Sequence, residues 1–180
     1  PDAVVAAAEA KAEEYAEWAV AETGMGVVEH KALKNRMCSR GLWDAYRDHD
    51  YVSPRIRHDD KILELPRPAG VIFALTPVTN PVATVYFKVL LALMTRNAIV
   101  VSPHPGAKAV CADAVRMLSD AAVAAGAPDG CIQVVDEPSV PLIEALMADQ
   151  TTDGIGATGG SAVVRAAYRS GNPARGVGPG

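Results

Sequence analysis

The sequence has 180 residues, of which 49% are hydrophobic and 21% charged, and its formal net charge is −4. This length and composition suit one globular domain with a sizeable core. Because Lys and Arg are spread along the chain and the net charge is negative, we expect no nucleic-acid partner.

The first part of the chain predicts helices. Residues 2–22 are rich in Ala and Glu, carry apolar residues at helical spacing, and are followed by Gly24, a residue that commonly ends helices. A second helix is predicted for about residues 27–46, and the polar residues 47–61 indicate a loop. We interpret residues 1–60 as helices and a loop that pack on a cofactor domain.

Two strands are predicted next, separated by Pro66 and Pro68. Residues 61–66 indicate an edge or protruding strand, because two prolines do not fit a central ladder. We assign residues 61–69 to a protruding strand of the kind that pairs copies of a chain into an oligomer.

From Gly70 onward, short runs rich in Val and Ile alternate with helical segments. The predicted strands are 70–75, 98–102, 131–135 and 153–157, and the predicted helices are about 81–95, 106–125, 139–148 and 161–170. This alternation is typical of a parallel sheet covered on both faces. We therefore predict a doubly wound, Rossmann-like α/β fold, with residues 70–180 forming a nucleotide-binding domain that is incomplete at its C-terminus.

In such sheets, ligands bind outside the carboxyl ends of the strands. Gly159 and Gly160 follow the fourth of these strands and permit close backbone approach, and Ser161 can cap the next helix. The positive end of that helix suits a pyrophosphate, and a plain glycine turn with a Ser cap explains the same residues. His104, in the loop after strand 98–102, either contacts a nucleotide or is a solvated side chain.

Asn80 lies between Pro77 and Pro81, where a strand turns into a helix. One interpretation is a preorganised hydrogen-bond donor at a strand end, a position that stabilises charge in a transition state. The other is an N-cap for the helix that starts at Pro81. The residues alone leave both open.

The three cysteines, Cys38, Cys111 and Cys131, follow no metal-ligand spacing, and we expect no metal. We predict that Cys111 is buried, since it shares a helical face with apolar residues, and that none of the three is a nucleophile. Their pattern indicates a reduced, cytoplasmic protein. The apolar run 89–101 contains Arg and Asn and is too short to span a membrane.

Six segments, in order and across nearly the whole chain, form a pattern similar to a known family. They are ETGMGVVEHKALKN (22–35), PAGVIFALTPVTNP (68–81), FKVLLALMTRNAIVVSPHPGAK (87–108), AAVAAGAP (121–128), ATGGSAVVRAAYRSG (157–171) and GVGPG (176–180). In these motifs the chain resembles the aldehyde dehydrogenase superfamily. It is most similar to the CoA-acylating branch, which includes the aldehyde-oxidising half of bifunctional aldehyde–alcohol dehydrogenases.

The resemblance implies that Asn80 is catalytic and donates its side-chain amide to the oxyanion of a thiohemiacetal. It also implies NAD as cofactor, with NADP as the alternative, because Ser102 and Pro105 replace the Lys and Glu of the usual NAD-dependent aldehyde oxidisers. The implied cofactor-binding residues are Thr76, Pro77, Val78, Thr79, Ser102, His104, Pro105, Gly159, Gly160, Ser161, Gly176 and Gly178.

One departure within the resemblance concerns the final motif. The hydrolytic branch has a Glu where this sequence has Gly176, and no Asp or Glu follows Asp153. Water needs a general base to attack a thioester, whereas a thiol is a better nucleophile. We therefore expect CoA as co-substrate and a reversible reaction between a small aldehyde and an acyl-CoA.

The nucleophilic cysteine of this family lies beyond the last motif. The resemblance therefore implies that these 180 residues are the cofactor-binding part of a homo-oligomeric enzyme and are inactive alone. Two alternatives stay open. One is a nucleotide-dependent reductase or transferase of another class, and the other is a noncatalytic nucleotide-binding or assembly module that uses strand 61–66.

Overall fold

Four helices open the chain in the computed structural model, which describes residues 1–178. They are α1 (Asp2–Ala10), α2 (Ala12–Thr23), α3 (Val28–Arg36) and α4 (Leu42–Tyr46). The helix predicted for residues 2–22 is interrupted at Lys11, whose φ of −104° and ψ of 11° leave the helical region. Pro179 and Gly180, the end of the last motif, lie outside the described residues.

The helix predicted for residues 27–46 widens into a π-helical turn at Met37–Gly41, between α3 and α4. The Ser39 hydroxyl donates to the carbonyl of Asn35 at 2.8 Å and to that of Arg36 at 3.3 Å. Side-chain bonds of this kind compete with the backbone ladder and locally alter a helix. The Asn35 amide in turn donates to the Ala12 carbonyl at 2.9 Å and joins α3 to α2.

The loop predicted for residues 47–61 contains a strand, β1 (Arg55–Arg57), and the prediction was wrong there. It pairs antiparallel with β2 (Ile62–Glu64) in a two-stranded ribbon separate from the main sheet. The ribbon carries no buried apolar face, so the pattern by which strands are usually detected is missing from β1. Strand β2 lies within the residues 61–66 for which an edge or protruding strand was predicted.

Five parallel strands form the main sheet, in the order β5-β4-β3-β6-β7. They are β3 (Val71–Leu75), β4 (Ala98–Ser102), β5 (Ile132–Val134), β6 (Gly154–Thr158) and β7 (Ala174–Val177). The predicted doubly wound α/β fold is confirmed. The last strand, β7, was not predicted, because it alternates half-buried and exposed residues without an apolar run.

The connecting helices cover both faces of the sheet. They are α5 (Pro81–Met94), α6 (Lys108–Ala124), α7 (Val140–Ala148) and α8 (Ser161–Arg169). Ala74 of β3 belongs to the core shared with α1, α2, α5 and α6, while its neighbours Phe73 and Leu75 belong to the core shared with α7 and α8. Alternate residues of a strand thus pack on opposite layers.

The strand order places β3 beside β6, with Leu75 in register with Ala157. After β5 the chain returns to the centre of the sheet, so the crossovers leave these two neighbouring strands in opposite directions. This is the topological switch point, where doubly wound sheets bind ligands. We call the side of the sheet where the parallel strands end the carboxyl edge.

Within residues 1–178, no helix combines the length and the apolar character needed to cross a bilayer.

Candidate functional site

The turn after β3, residues 76–80, contacts neighbouring elements at the carboxyl edge through its first residue, Thr76. We call it the Asn80 turn. Thr76 is buried, and its N–H donates to the Ser102 carbonyl at 3.1 Å. Its hydroxyl lies 3.9 Å from Cys111 Sγ. The Thr76 side chain is therefore engaged with α6, and the turn is tied to the end of β4.

Asn80 occupies the N-cap position of α5, but its side chain makes no capping hydrogen bond. Its backbone carbonyl accepts the Thr84 N–H at 3.2 Å and the Thr84 hydroxyl at 2.7 Å. Its Oδ1 accepts a hydrogen bond of 2.9 Å from Lys34 Nζ. The helix-cap interpretation is therefore wrong. Within residues 1–178 the NH2 end of this carboxamide has no partner, so a donor remains available.

Two lysines of α3 converge on the Asn80 turn. Lys31 Nζ donates to the Thr79 carbonyl at 2.8 Å, beside the bond from Lys34 to Asn80. Burial, and then the charge of Lys34, lower the pKa of Lys31. Neither ammonium group forms an ion pair with a carboxylate in the described chain. The turn therefore lies in a region of positive charge.

The loop after β4 contains Ser102, His104 and Pro105. Ser102 is buried, and its hydroxyl has no hydrogen-bond partner in the part of the chain that the structure describes. His104 Nδ1 accepts the Gly106 N–H at 3.0 Å and caps the short 3-10 turn Pro105–Ala107. Because Nδ1 accepts, the neutral ring carries its proton on Nε2. His104 is exposed, and it presents that donor at the carboxyl edge.

The N-terminus of α6 is closed by a carboxylate from another helix. The two oxygens of Glu22 accept the N–H groups of Ala109 at 2.9 Å and Val110 at 2.8 Å. A helix N-terminus attracts anions through these same free N–H groups. Glu22 therefore occupies the place where a phosphate would otherwise bind this helix.

The N-terminus of α8, by contrast, carries no side-chain cap. Gly160 is the N-cap residue, and Ser161 is the first residue of the helix. The prediction that Ser161 caps the helix was wrong by one position. Gly159 donates its N–H to the Val177 carbonyl at 3.1 Å, and a Cβ on Gly160 would meet no atom within 4 Å. Of these two helix ends at the carboxyl edge, α8 is the one left open to an anion.

Gly176 on β7 has no room for a side chain. A Cβ there would lie 2.4 Å from Val164 Cγ1 and 2.9 Å from Tyr168 Cε2, both on α8. The Gly176 N–H donates to the Tyr168 hydroxyl at 3.0 Å. A Cβ on Gly178, two residues on, would meet nothing within 4 Å.

Lys88 of α5 is a site residue that our sequence analysis missed. Its Nζ donates to the carbonyls of Leu75 and Gly156, both at 2.6 Å, and so joins β3 to β6 at the switch point. Burial lowers the pKa of Lys88 to about 7. The available signal was a single lysine inside the apolar helix VYFKVLL, because such a cation needs polar partners.

The cysteines offer no reactive thiol at this edge. Cys111 is fully buried, as predicted, and burial raises its pKa to about 12. Burial also raises the pKa of Cys38, which lies in the π-helical turn. Cys131 precedes β5 and so lies at the opposite end of the sheet. No group of three or more His, Cys, Asp or Glu residues in the described chain is placed to hold a metal ion.

The predicted site residues therefore share one edge, because the strands that carry them are parallel. Val78 Cγ2 lies 3.5 Å from where a Cβ on Gly106 would stand, so the loops after β3 and β4 touch. The turn after β6 is tied to β7 by the bond from Gly159 to Val177. The arrangement places an uncapped helix end, a carboxamide donor and positive charge along the carboxyl edge, and we call the region outside this edge the cleft.

Comparisons with known proteins identify the family of the chain. The sequence model of the aldehyde dehydrogenase family matches residues 2–175. The bifunctional aldehyde-alcohol dehydrogenase AdhE of Escherichia coli (strain K12) is 45% identical over 180 residues, which cover 99% of this chain and 20% of that protein. The resemblance predicted from the motifs is thus confirmed.

Two solved structures are similar over 99% of the chain. The acetylating aldehyde dehydrogenase of Geobacillus thermoglucosidasius superposes with a TM-score of 0.96 at 42% identity, over 40% of its own chain. The propionaldehyde dehydrogenase of Rhodopseudomonas palustris, solved with bound CoA and an acylated cysteine, superposes with a TM-score of 0.82 at 32% identity, over 47% of its chain. The chain spans less than half the length of each of these relatives.

Proposed function

Because the chain belongs to the aldehyde dehydrogenase family, we propose that it is the cofactor-binding part of a CoA-acylating aldehyde dehydrogenase. The reaction is the reversible oxidation of a small aldehyde by NAD(P), with transfer of the acyl group to CoA. The observation that carries the proposal is the Asn80 carboxamide, which stands at the switch point with its NH2 end free of protein partners.

The residues at the carboxyl edge fit a nicotinamide dinucleotide. The uncapped first turn of α8, behind Gly159 and Gly160, suits the pyrophosphate. Glu22 already fills the corresponding end of α6, which supports α8 as the phosphate-binding helix. The Nε2 donor of the exposed His104 is available to the adenosine ribose, whereas the Ser102 hydroxyl is buried without a partner in the described chain. When bound, the nicotinamide accepts a hydride from the carbon under oxidation.

In this proposal Asn80 stabilises the oxyanion that forms when a thiol adds to the aldehyde. Its NH2 group is a fixed donor, and a fixed donor needs no reorganisation when the charge appears. The ammonium group of Lys31, bonded to the Thr79 carbonyl, adds to the attraction for an anion. Burial raises the pKa of Cys38 and Cys111, and Cys131 lies at the opposite end of the sheet. We therefore propose that the thiol belongs to the remaining part of the enzyme.

The choice of CoA as acyl acceptor follows from Gly176. In the hydrolytic branch of the family that the chain resembles, this position carries the water-activating Glu. Val164 and Tyr168 fill the space that any side chain at position 176 would need. Without a general base, water attacks a thioester slowly, whereas the thiol of CoA is an effective nucleophile. We therefore propose an acyl-CoA as product.

The ribbon of β1 and β2 supports a homo-oligomer, which we also propose, together with a cytoplasmic location. Ile56, Leu63 and Leu65 are 64%, 57% and 53% exposed. Exposed apolar side chains on a short strand pair favour pairing with another copy. The same ribbon supports the alternative of a noncatalytic assembly module, which would self-associate without any effect of nucleotide.

The experiment that tests the proposal uses the full-length native protein with a panel of short aldehydes. NADH or NADPH formation is measured with and without CoA. We expect turnover that requires CoA and a clear preference between NAD and NADP. Self-association without turnover on any aldehyde would instead favour the assembly module.

A further inference from the structure

The bond between Lys34 and Asn80 points to a role for Lys34. We propose that Lys34 is a positioning residue that fixes which end of the Asn80 carboxamide faces the reacting carbonyl. The inference rests on the proposed function, in which Asn80 donates to the oxyanion. It adds a residue from α3, an element outside the sheet and its carboxyl-edge loops.

A carboxamide has two ends of nearly equal size and opposite hydrogen-bonding character. Rotation by 180° about the last side-chain bond exchanges the accepting oxygen with the donating NH2 group. Only the orientation that directs NH2 to the cleft stabilises an oxyanion. The other orientation would present the carboxamide oxygen, whose negative partial charge repels the oxyanion. Something must therefore select one orientation.

Lys34 makes that selection because an ammonium group has three donors and no acceptor. Its Nζ lies 2.9 Å from Asn80 Oδ1. The reverse orientation would bring the NH2 group of Asn80 against the ammonium, with two donors facing each other. A charge-assisted hydrogen bond is also stronger than a neutral one. The bond therefore holds the oxygen at α3 and leaves the NH2 group for the cleft.

Other contacts fix the backbone of the turn but leave the carboxamide orientation to Lys34. Thr84 holds the Asn80 carbonyl through two bonds, of 3.2 and 2.7 Å, and Lys31 holds the Thr79 carbonyl at 2.8 Å. The usual bond from an N-cap side chain to the helix is missing. Within residues 1–178, Lys34 is the single group bonded to the Asn80 side chain.

Lys34 is also free to serve this purpose. It is exposed on α3 and forms no ion pair in the described chain. Replacing it removes little packing, so a loss of rate can be separated from a loss of fold.

The test compares three variants in the full-length native protein. Lys34→Arg keeps a side chain that only donates, and we expect it to retain most of kcat/KM for the aldehyde. Lys34→Met removes the donor that selects the orientation of the carboxamide, and we expect kcat/KM to fall about tenfold. Lys34→Glu can only accept, so it attracts the NH2 group away from the cleft, and we expect the largest loss. The KM for NAD(P) and the melting temperature should not change.

A matched control is Arg169 in the last turn of α8, which is exposed and forms no ion pair in the described chain. Arg169→Met and Arg169→Glu make the same changes of charge at the opposite end of α8 from its uncapped N-terminus and should leave kcat/KM unchanged. If Lys34→Glu and Arg169→Glu lower the rate equally, the effect is one of overall charge and the proposal is overturned.

A double-mutant cycle separates positioning from an independent effect of charge. In an Asn80→Ala background, Lys34→Met should cause no further loss. The same tenfold loss in that background would overturn the positioning role and leave the proposed function standing. A native protein without CoA-dependent turnover on any aldehyde would overturn both.

Discussion

The N–H of Gly176 donates a hydrogen bond of 3.0 Å to the hydroxyl of Tyr168, whose ring occupies the space that a side chain at position 176 would need. The glycine is thus required by packing against α8. In the proposed function, Gly176 also stands at the position where the hydrolytic branch has its water-activating Glu. Both consequences come from one contact between β7 and α8.

This contact predicts a stability defect for Gly176→Ala. The added Cβ would stand 2.4 Å from Val164 Cγ1, and a β-branched side chain cannot easily turn away. We expect a loss of about 1–3 kcal/mol, typical of overpacking, in urea denaturation. Gly178→Ala is the matched control, since its Cβ meets no atom within 4 Å, and equal stability losses in the two variants would refute the packing argument.

Asn80→Ala should lower activity without lowering stability. Removing a donor to an oxyanion costs about 10²–10³-fold in kcat. Because the Asn80 side chain caps nothing, the free energy of unfolding should change by less than about 0.5 kcal/mol. Steady-state kinetics and urea denaturation measure the two effects.

Ser139→Ala provides the comparison, because the Ser139 hydroxyl accepts the Leu142 N–H at 3.4 Å and does cap α7. It should lose about 0.5–2 kcal/mol of stability and keep its activity. The opposite pattern, with Asn80→Ala unstable and active, would restore the helix-cap interpretation of Asn80.

Lys88 should make stability depend on pH. Burial lowers its pKa from 10.5 to about 7, so between these values the unfolded chain binds more protons than the folded one. Stability therefore rises with pH over that range, by up to about 1.4 kcal/mol per pH unit. Below pH 7 both states are protonated and this dependence ends.

Urea denaturation of wild type and Lys88→Met between pH 6 and 10 checks this prediction. We expect a flatter profile for Lys88→Met, and a wild-type profile for the exposed control Lys61→Met. Parallel profiles for wild type and Lys88→Met would show that Lys88 keeps an ordinary pKa.

Because the ribbon of β1 and β2 is exposed, we predict that a charge placed in it lowers the oligomeric state of the protein. Leu63→Glu places a charge among exposed apolar side chains and should disfavour pairing between copies. Val140→Glu, at a residue of α7 that is 68% exposed, is the control outside the ribbon. Sedimentation analysis of the full-length protein should show a smaller mass for Leu63→Glu alone, and an unchanged mass would exclude the ribbon as the contact.

The sheet could be predicted from the sequence wherever a strand is a buried run of Val and Ile. Strand β4 agrees residue for residue with the prediction of 98–102. Strands β1 and β7 were not predicted, because both are short, β1 is exposed and β7 is half-exposed. Their pairing depends on the neighbouring strand and not on their own pattern.

The candidate site, like the sheet, could be predicted from the sequence only in part. Asn80 and Gly160 stand at strand ends that the alternation of strands and helices already indicates. The contacts of Lys34, Glu22 and Lys88 join elements that are distant in sequence. Such contacts arise from tertiary packing. The lone lysine of the apolar α5 indicates a need for polar partners, but no local pattern in α2, α3 or α5 identifies which partners these residues contact.

The most direct measurement of the CoA-acylating assignment is the identity of the product. The full-length native protein is incubated with a short aldehyde, NAD(P) and CoA in ¹⁸O-labelled water, and the products are identified by mass spectrometry. We predict one acyl-CoA per reduced cofactor and no labelled carboxylic acid. A labelled acid that forms at the rate of cofactor reduction, with or without CoA, would contradict the assignment.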